Sequence, residues 1–185
     1  MEPSKRAWIW GGLNLTPGVG LVAAVPRSGP GLKPSRRIAP DRRVLVLGGT
    51  LASGLGSPLQ QLAREARVVL RVHATPGAPA AATRATVVAE AKTSRPDLVL
   101  VVLEPEDVGP EASQALAQLV KTLRQLGVEA VWVAPLSDGS KKPARPQRSD
   151  VFPSDALQIP KGPDGRSPTA IGYAGWAGAI WRWLG

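Results

Sequence analysis

The chain has no cysteine and a single histidine, His73. Thiolate nucleophiles, thiolate metal sites, disulfides and any centre that needs two imidazoles are therefore excluded. Thr50, directly after Gly48-Gly49, carries a hydroxyl. A hydroxyl becomes a nucleophile only beside a base that takes its proton. His73 lies at the end of an apolar run and four residues before Gly77, near the rim of any cleft that Gly77 lines, although a lone histidine at a strand end is more often packed or solvated than catalytic. Glu104, Glu106 and Asp107 cluster where a hard cation would be welcome, and a solvated acidic loop is the simpler reading. Gly48-Gly49-Thr50 with Gly54-x-Gly56 has the glycine content of a phosphate loop but neither the Gly-Lys-Ser/Thr ending nor the Gly-x-Gly-x-x-Gly spacing.

These residues sit between alternating strand and helix patterns. Val44–Leu47, Val68–Val72, Asp97–Leu103 and Glu129–Ala134 read as strands, and the continuous apolar run in the third is typical of a strand buried on both faces of a parallel sheet. Pro58–Ala66 has helical spacing with Ser57 as its N-cap and Pro58 at the first helical position. Ala78–Lys92 is alanine-rich and helical after Pro79. Pro110–Leu126 places apolar residues at 116, 119, 120, 123 and 126 and ends at Gly127. Thr169–Leu184 is the last helix, with Ile171, Ala174, Ala177, Ile180, Trp181 and Leu184 on its apolar side and Trp183 off it, exposed as an interface anchor. Four βα units in series predict a three-layer α/β/α sandwich on a parallel, flavodoxin-like sheet, with any ligand cleft at the carboxyl ends of the strands. Ser137–Arg148 is a basic, proline-containing loop.

The first 43 residues differ in kind. They hold eight Lys/Arg against two acidic residues, whereas residues 44–185 hold 15 against 12. Pro17, Pro26, Pro30, Pro34 and Pro40 prevent a long helix, so the expected division is an irregular Gly/Pro-rich basic arm, 1–43, and one domain, 44–185. Ala7–Val25 is apolar apart from Asn14 and Thr16, so two readings stand: a membrane anchor or signal sequence, and an arm packed on a protein partner. Pro17 and four nearby glycines weaken the spanning reading. The basic excess suits an anionic surface, but nothing in the domain itself points to nucleic acid.

Leu47-Gly48-Gly49-Thr50-Leu51, Ala74-Thr75-Pro76-Gly77-Ala78, Leu103-Glu104-Pro105-Glu106-Asp107 and Asp164-Gly165-Arg166-Ser167-Pro168-Thr169 together resemble the conserved blocks of the SGNH (GDSL-type) hydrolases, in the right order over residues 43–184. The resemblance implies an esterase-like α/β fold with its site at Gly49, Thr50, Gly77, Glu106, Asp164 and Ser167. By the family pattern Gly49 stands for an aspartate, Thr50 for the nucleophilic serine, Glu104 for a glycine, Glu106 for the asparagine that supports the oxyanion, and Ser167 for the histidine base. Gly77 and Asp164 match. The resemblance therefore implies the hydrolase fold without the hydrolase mechanism: a non-catalytic binding or structural subunit, docked by its N-terminal arm onto a larger assembly such as a virion or a cell-envelope complex. The alternatives are a membrane-tethered envelope protein that binds glycan or an acylated ligand, and a residual esterase using Thr50. No cofactor or metal is expected.

Overall fold

The computed structural model describes residues 38–78, 82, 84–107, 109–136, 150–154 and 157–185. The expectations for an arm or anchor before residue 38 and for the basic loop at 137–148 lie outside the described residues. No helix among the described residues is long and apolar enough to cross a membrane.

The elements run β1 (Arg43–Gly48), α1 (Thr50–Glu65), β2 (Val69–Ala74), α2 (Arg84–Ser94), β3 (Leu98–Val102), α3 (Pro110–Gln125), β4 (Glu129–Val133), β5 (Asp150–Phe152) and α4 (Ala170–Leu184). All five strands are parallel and lie in the order β2-β1-β3-β4-β5. Side chains alternate across the sheet. Val44, Val46, Leu98, Leu100, Val102, Val131 and Val133 pack toward α1 and α4, and Leu45, Leu47, Val99, Val101 and Trp132 pack toward the buried residues of α2 and α3. Burial on both faces explains why β1 and β3 read as unbroken apolar runs. The three-layer α/β/α sandwich expected from the sequence is the fold observed. Its strand order reverses at β1, so the loops after β1 and β3 diverge and leave a crevice at their carboxyl ends.

Four local expectations need correction. The second element is one helix beginning at Thr50, with Pro58 inside it, rather than a helix capped by Ser57. An internal proline costs a hydrogen bond and crowds the preceding turn, about 3 kcal/mol, and the buried stripe Leu51, Ala52, Leu55, Gly56, Leu59, Ala63 offsets it. β5 was not expected; it is a three-residue edge strand whose pairing with Val131–Val133 supplies most of its definition. Ile171 is 66% exposed rather than on the buried side of α4. Trp183 is half-buried with its ring set edge-on to Phe152 at 5.6 Å, and the fully buried tryptophan of α4 is Trp176, whose indole N–H donates to Ser154 Oγ at 3.0 Å.

The amino ends of the strands are closed. Arg42 pairs with Glu129 at 2.8 Å, and Asp97 accepts the Arg43 main-chain N–H at 2.8 Å. That bond, with the nearby arginine charges, holds the Asp97 carboxyl below its ordinary range. Asp41 N–H donates to Arg67 O, Ile38 N–H donates to Leu184 O, and the Ile38 side chain packs on the core. Residues 38–43, placed with the arm on composition, are thus tied to the body of the fold.

Candidate functional site

The cleft lies where the strand order reverses. It has a volume of about 320 Å³ and is lined by Thr50, Leu51, Gly77, Ala78, Glu104, Pro105, Glu106, Arg166 and Ser167. Three loops and one helix terminus build it, each for a local reason.

β1 ends at Gly48, with φ +155°, where a Cβ would meet Val102 O at 2.7 Å and Ala52 Cβ at 2.8 Å; only glycine lets β1 turn into α1 this close to β3. Thr50 then opens α1 with an exposed hydroxyl. After β2 the chain makes a turn from Thr75 to Ala78, closed by Ala78 N–H donating to Thr75 O at 3.0 Å. Pro76 is its second residue and Gly77, at φ +80°, its third, the residue order of a type II turn. This turn aims Gly77 N–H at Thr50 Oγ1, 3.1 Å away. The main-chain donor assigned to Gly77 is therefore present, and here it is bonded to the threonine hydroxyl.

The rim opposite is the loop before α4. Asp164 Oδ1 accepts from the N–H groups of Arg166 and Ser167, both at 3.0 Å. A bond from the Ser167 hydroxyl first, then these two N–H bonds and the nearby charge of Arg166, hold the Asp164 carboxyl below its ordinary range. The acid position is thus retained but bonded to its own loop, and the side chain at the base position is a hydroxyl with no capacity to take a proton near neutral pH. Thr169 caps α4 by accepting from Gly172 N–H at 3.1 Å.

The floor holds what spacing alone did not reveal. Glu104 is only 6% exposed and Asp107 is fully buried, so the acidic run is no solvated loop; only Glu106 of the three is exposed. Glu104 and Asp107 close a tight reciprocal turn, Glu104 N–H donating to Asp107 Oδ2 at 2.9 Å and Asp107 N–H donating to Glu104 O at 3.0 Å. The Glu104 carboxylate crosses from the end of β3 to the start of α1, where its Oε1 accepts Leu51 N–H at 2.9 Å. A Cβ at Gly49 would meet that oxygen at 2.9 Å and press on the carbonyl of Ala78. Gly49 and Glu104 thus exchange roles relative to the family pattern: the carboxylate expected one residue before the hydroxyl arrives from the neighbouring strand, and the glycine expected on that strand stands beside the hydroxyl. The signal available in the sequence was that both positions depart from the pattern together.

Burial raises the Glu104 carboxyl above its ordinary range, the bond from Leu51 N–H lowers it, and the neighbouring charges of Glu106 and Asp107 raise it. Tyr173 lies close enough to feel Glu104 and Asp164, and burial together with those charges raises its phenol. Its ring occupies the space that a side chain at Gly54 would need. Gly54 and Gly56 lie inside α1 rather than in a loop, and the first turn of α1 already holds a carboxylate, so a phosphate site does not form there. His73 is in β2, in register with Leu47 and so on the α2/α3 side of the sheet, and it is not among the cleft-lining residues. Among the described residues no group of three or more His, Asp or Glu is placed to hold a metal ion. Arg166 lines the cleft and was not singled out from the sequence.

No protein-family model matches the chain, and no curated protein does either. Solved structures do. The chain is similar to TesA, at 18% identity over 77% of this chain and 97% of that one, with a TM-score of 0.64. It is also similar to a lipolytic protein of the G-D-S-L family from Desulfitobacterium hafniense, at 13% identity over 78% and 100% of the two chains, TM-score 0.64. A catalytic mutant of Axe2, an acetylxylan esterase from Geobacillus stearothermophilus, matches at 14% identity over 80% and 99%, TM-score 0.60. The chain therefore has the SGNH-hydrolase fold, that of the GDSL-type esterases.

Proposed function

We propose that this domain binds a ligand in its cleft without hydrolysing it. The observation that carries this reading is the Glu104 carboxylate, buried against the first turn of α1, with Glu106 beside it on the cleft wall. Acyl transfer develops negative charge on the carbonyl oxygen, and a site catalyses it by aiming donors at that oxygen. In this cleft the Gly77 N–H donates to Thr50 Oγ1, the Leu51 N–H is taken by Glu104, and the wall where an amide donor would stand presents a carboxylate. Ser167 supplies no base. The chain enters the described domain at Ile38, bonded to the last turn of α4, whereas the first turn of α4 follows the cleft rim. A helix of that length separates the two by about 22 Å.

The test is turnover of a short acyl ester by the full chain and by Thr50→Ala. Equal rates, at the level of the uncatalysed reaction, are expected. Turnover that depends on Thr50 overturns the reading and establishes a threonine esterase.

A further inference from the structure

Glu106 and Arg166 line the same cleft from different loops, and both are exposed. They do not pair with one another, and the ion pairs among the described residues involve neither. Opposite charges that border one cavity without closing on each other leave room for something between them. Glu104, 6% exposed, also borders the cavity, as do Thr50 and Ser167. Asp164 stands next to Arg166 and feels its charge, but its carboxylate is engaged by two N–H groups and the Ser167 hydroxyl and forms no ion pair with the guanidinium. A lone anion in this cleft meets two carboxylates; a lone cation meets Arg166. A molecule that carries both charges meets a partner at each end.

We propose that the cleft takes a small zwitterion, its ammonium against Glu106 and its carboxylate against Arg166. This rests on the non-hydrolytic reading above and names the class of ligand. The cleft is partly open and both of its charged partners are exposed, so affinity lies in the millimolar range and depends on salt.

The experiment is an amide chemical-shift titration of the isotope-labelled full chain with γ-aminobutyrate, using butylamine and butyrate as probes of each charge alone. Saturable shifts at Thr50, Leu51, Gly77, Arg166 and Ser167 are expected, with affinity for γ-aminobutyrate roughly tenfold above that for either single-charge probe. Glu106→Gln and Arg166→Gln each abolish that advantage, and Arg166→Glu transfers the preference to putrescine. Both positions are exposed, so these variants retain the fold, which the amide spectrum verifies. Butyrate binding as tightly as γ-aminobutyrate, no saturable shift with any probe, or indifference to Glu106→Gln each overturns the proposal. Thr50-dependent ester turnover overturns the non-hydrolytic reading as well, whereas missing shifts without turnover overturn only this inference.

Discussion

At the floor of the cleft, Gly49 and Glu104 are buried and share one space; at the rim, Asp164 and Ser167 stand three residues apart in an exposed turn held by main-chain bonds within residues 160–169. Both places depart from the pattern of GDSL-type sites, but in different ways. At the floor two departures compensate each other, because the carboxylate lost at one position is supplied from the adjacent strand. At the rim one side chain changes while the main-chain geometry that presents it stays. Substitutions at the floor must therefore come in pairs, whereas those at the rim are independent.

The largest test of this difference is Gly49→Asp. The new Cβ presses on the carbonyl of Ala78 and sits 2.9 Å from Glu104 Oε1, and its carboxylate meets a buried like charge. Destabilisation of about 3–5 kcal/mol is expected in urea denaturation. Gly49→Asp with Glu104→Gly should recover part of that loss, because the second change removes the Glu104 contact and the like-charge repulsion while the pressure on the Ala78 carbonyl remains. Additive losses in the pair would show that the two positions are not coupled. The same clash means that rebuilding a hydrolase by restoring the aspartate, serine, asparagine and histidine positions alone leaves the floor obstructed; the set must include Glu104→Gly.

Reading the sequence alone succeeded where burial is continuous and failed where a contact between distant segments decides. β1 and β3 announce themselves because every residue of Val44–Leu47 and Leu98–Val102 is buried. β5 does not, because three residues at a sheet edge take their identity from pairing with β4. Pro58 reads as a helix start by local chemistry, yet α1 runs through it since the apolar stripe continues on both sides. Of the positions named from the sequence, the structure brings Thr50, Gly77, Glu106 and Ser167 onto one cleft. The role of Glu104 was not legible, because spacing shows which position it fills and not that its side chain crosses to α1.

A middle-sized effect comes from Glu104 itself. Glu104→Ala leaves Leu51 N–H without its acceptor and should cost about 1–3 kcal/mol. Glu104→Gln keeps an oxygen in place and removes the charge, so its signature is in pH dependence. At low pH the residue is protonated in both the folded and unfolded chain and contributes no penalty. As pH rises above the ordinary glutamate range and through the raised folded value, ionisation is harder in the buried position than in the unfolded chain, so stability falls. Denaturation midpoints of the wild type should therefore decline across that window, and those of Glu104→Gln should decline less. Identical slopes would remove Glu104 from the account of the floor.

The smallest effect is expected at the rim, from Ser167→His. Ser167 is half-buried on an open cleft, and the bonds that hold its turn, two to Asp164 from the N–H groups of 166 and 167 and one from Gly162 N–H to Ser167 O, are all donated by the main chain. The substitution keeps these main-chain bonds and forfeits only the serine hydroxyl's bond to Asp164, for which an imidazole N–H offers a replacement. Stability should change by less than about 0.5 kcal/mol. Ester turnover should remain at background even though a base now stands beside Asp164, because the negative charge at the floor still opposes the oxyanion and groups of this kind act only as a unit. If this variant unfolds, the rim is coupled to the core as tightly as the floor is. If it gains esterase activity by itself, Glu104 does not block the reaction, and the contrast between floor and rim loses its chemical meaning.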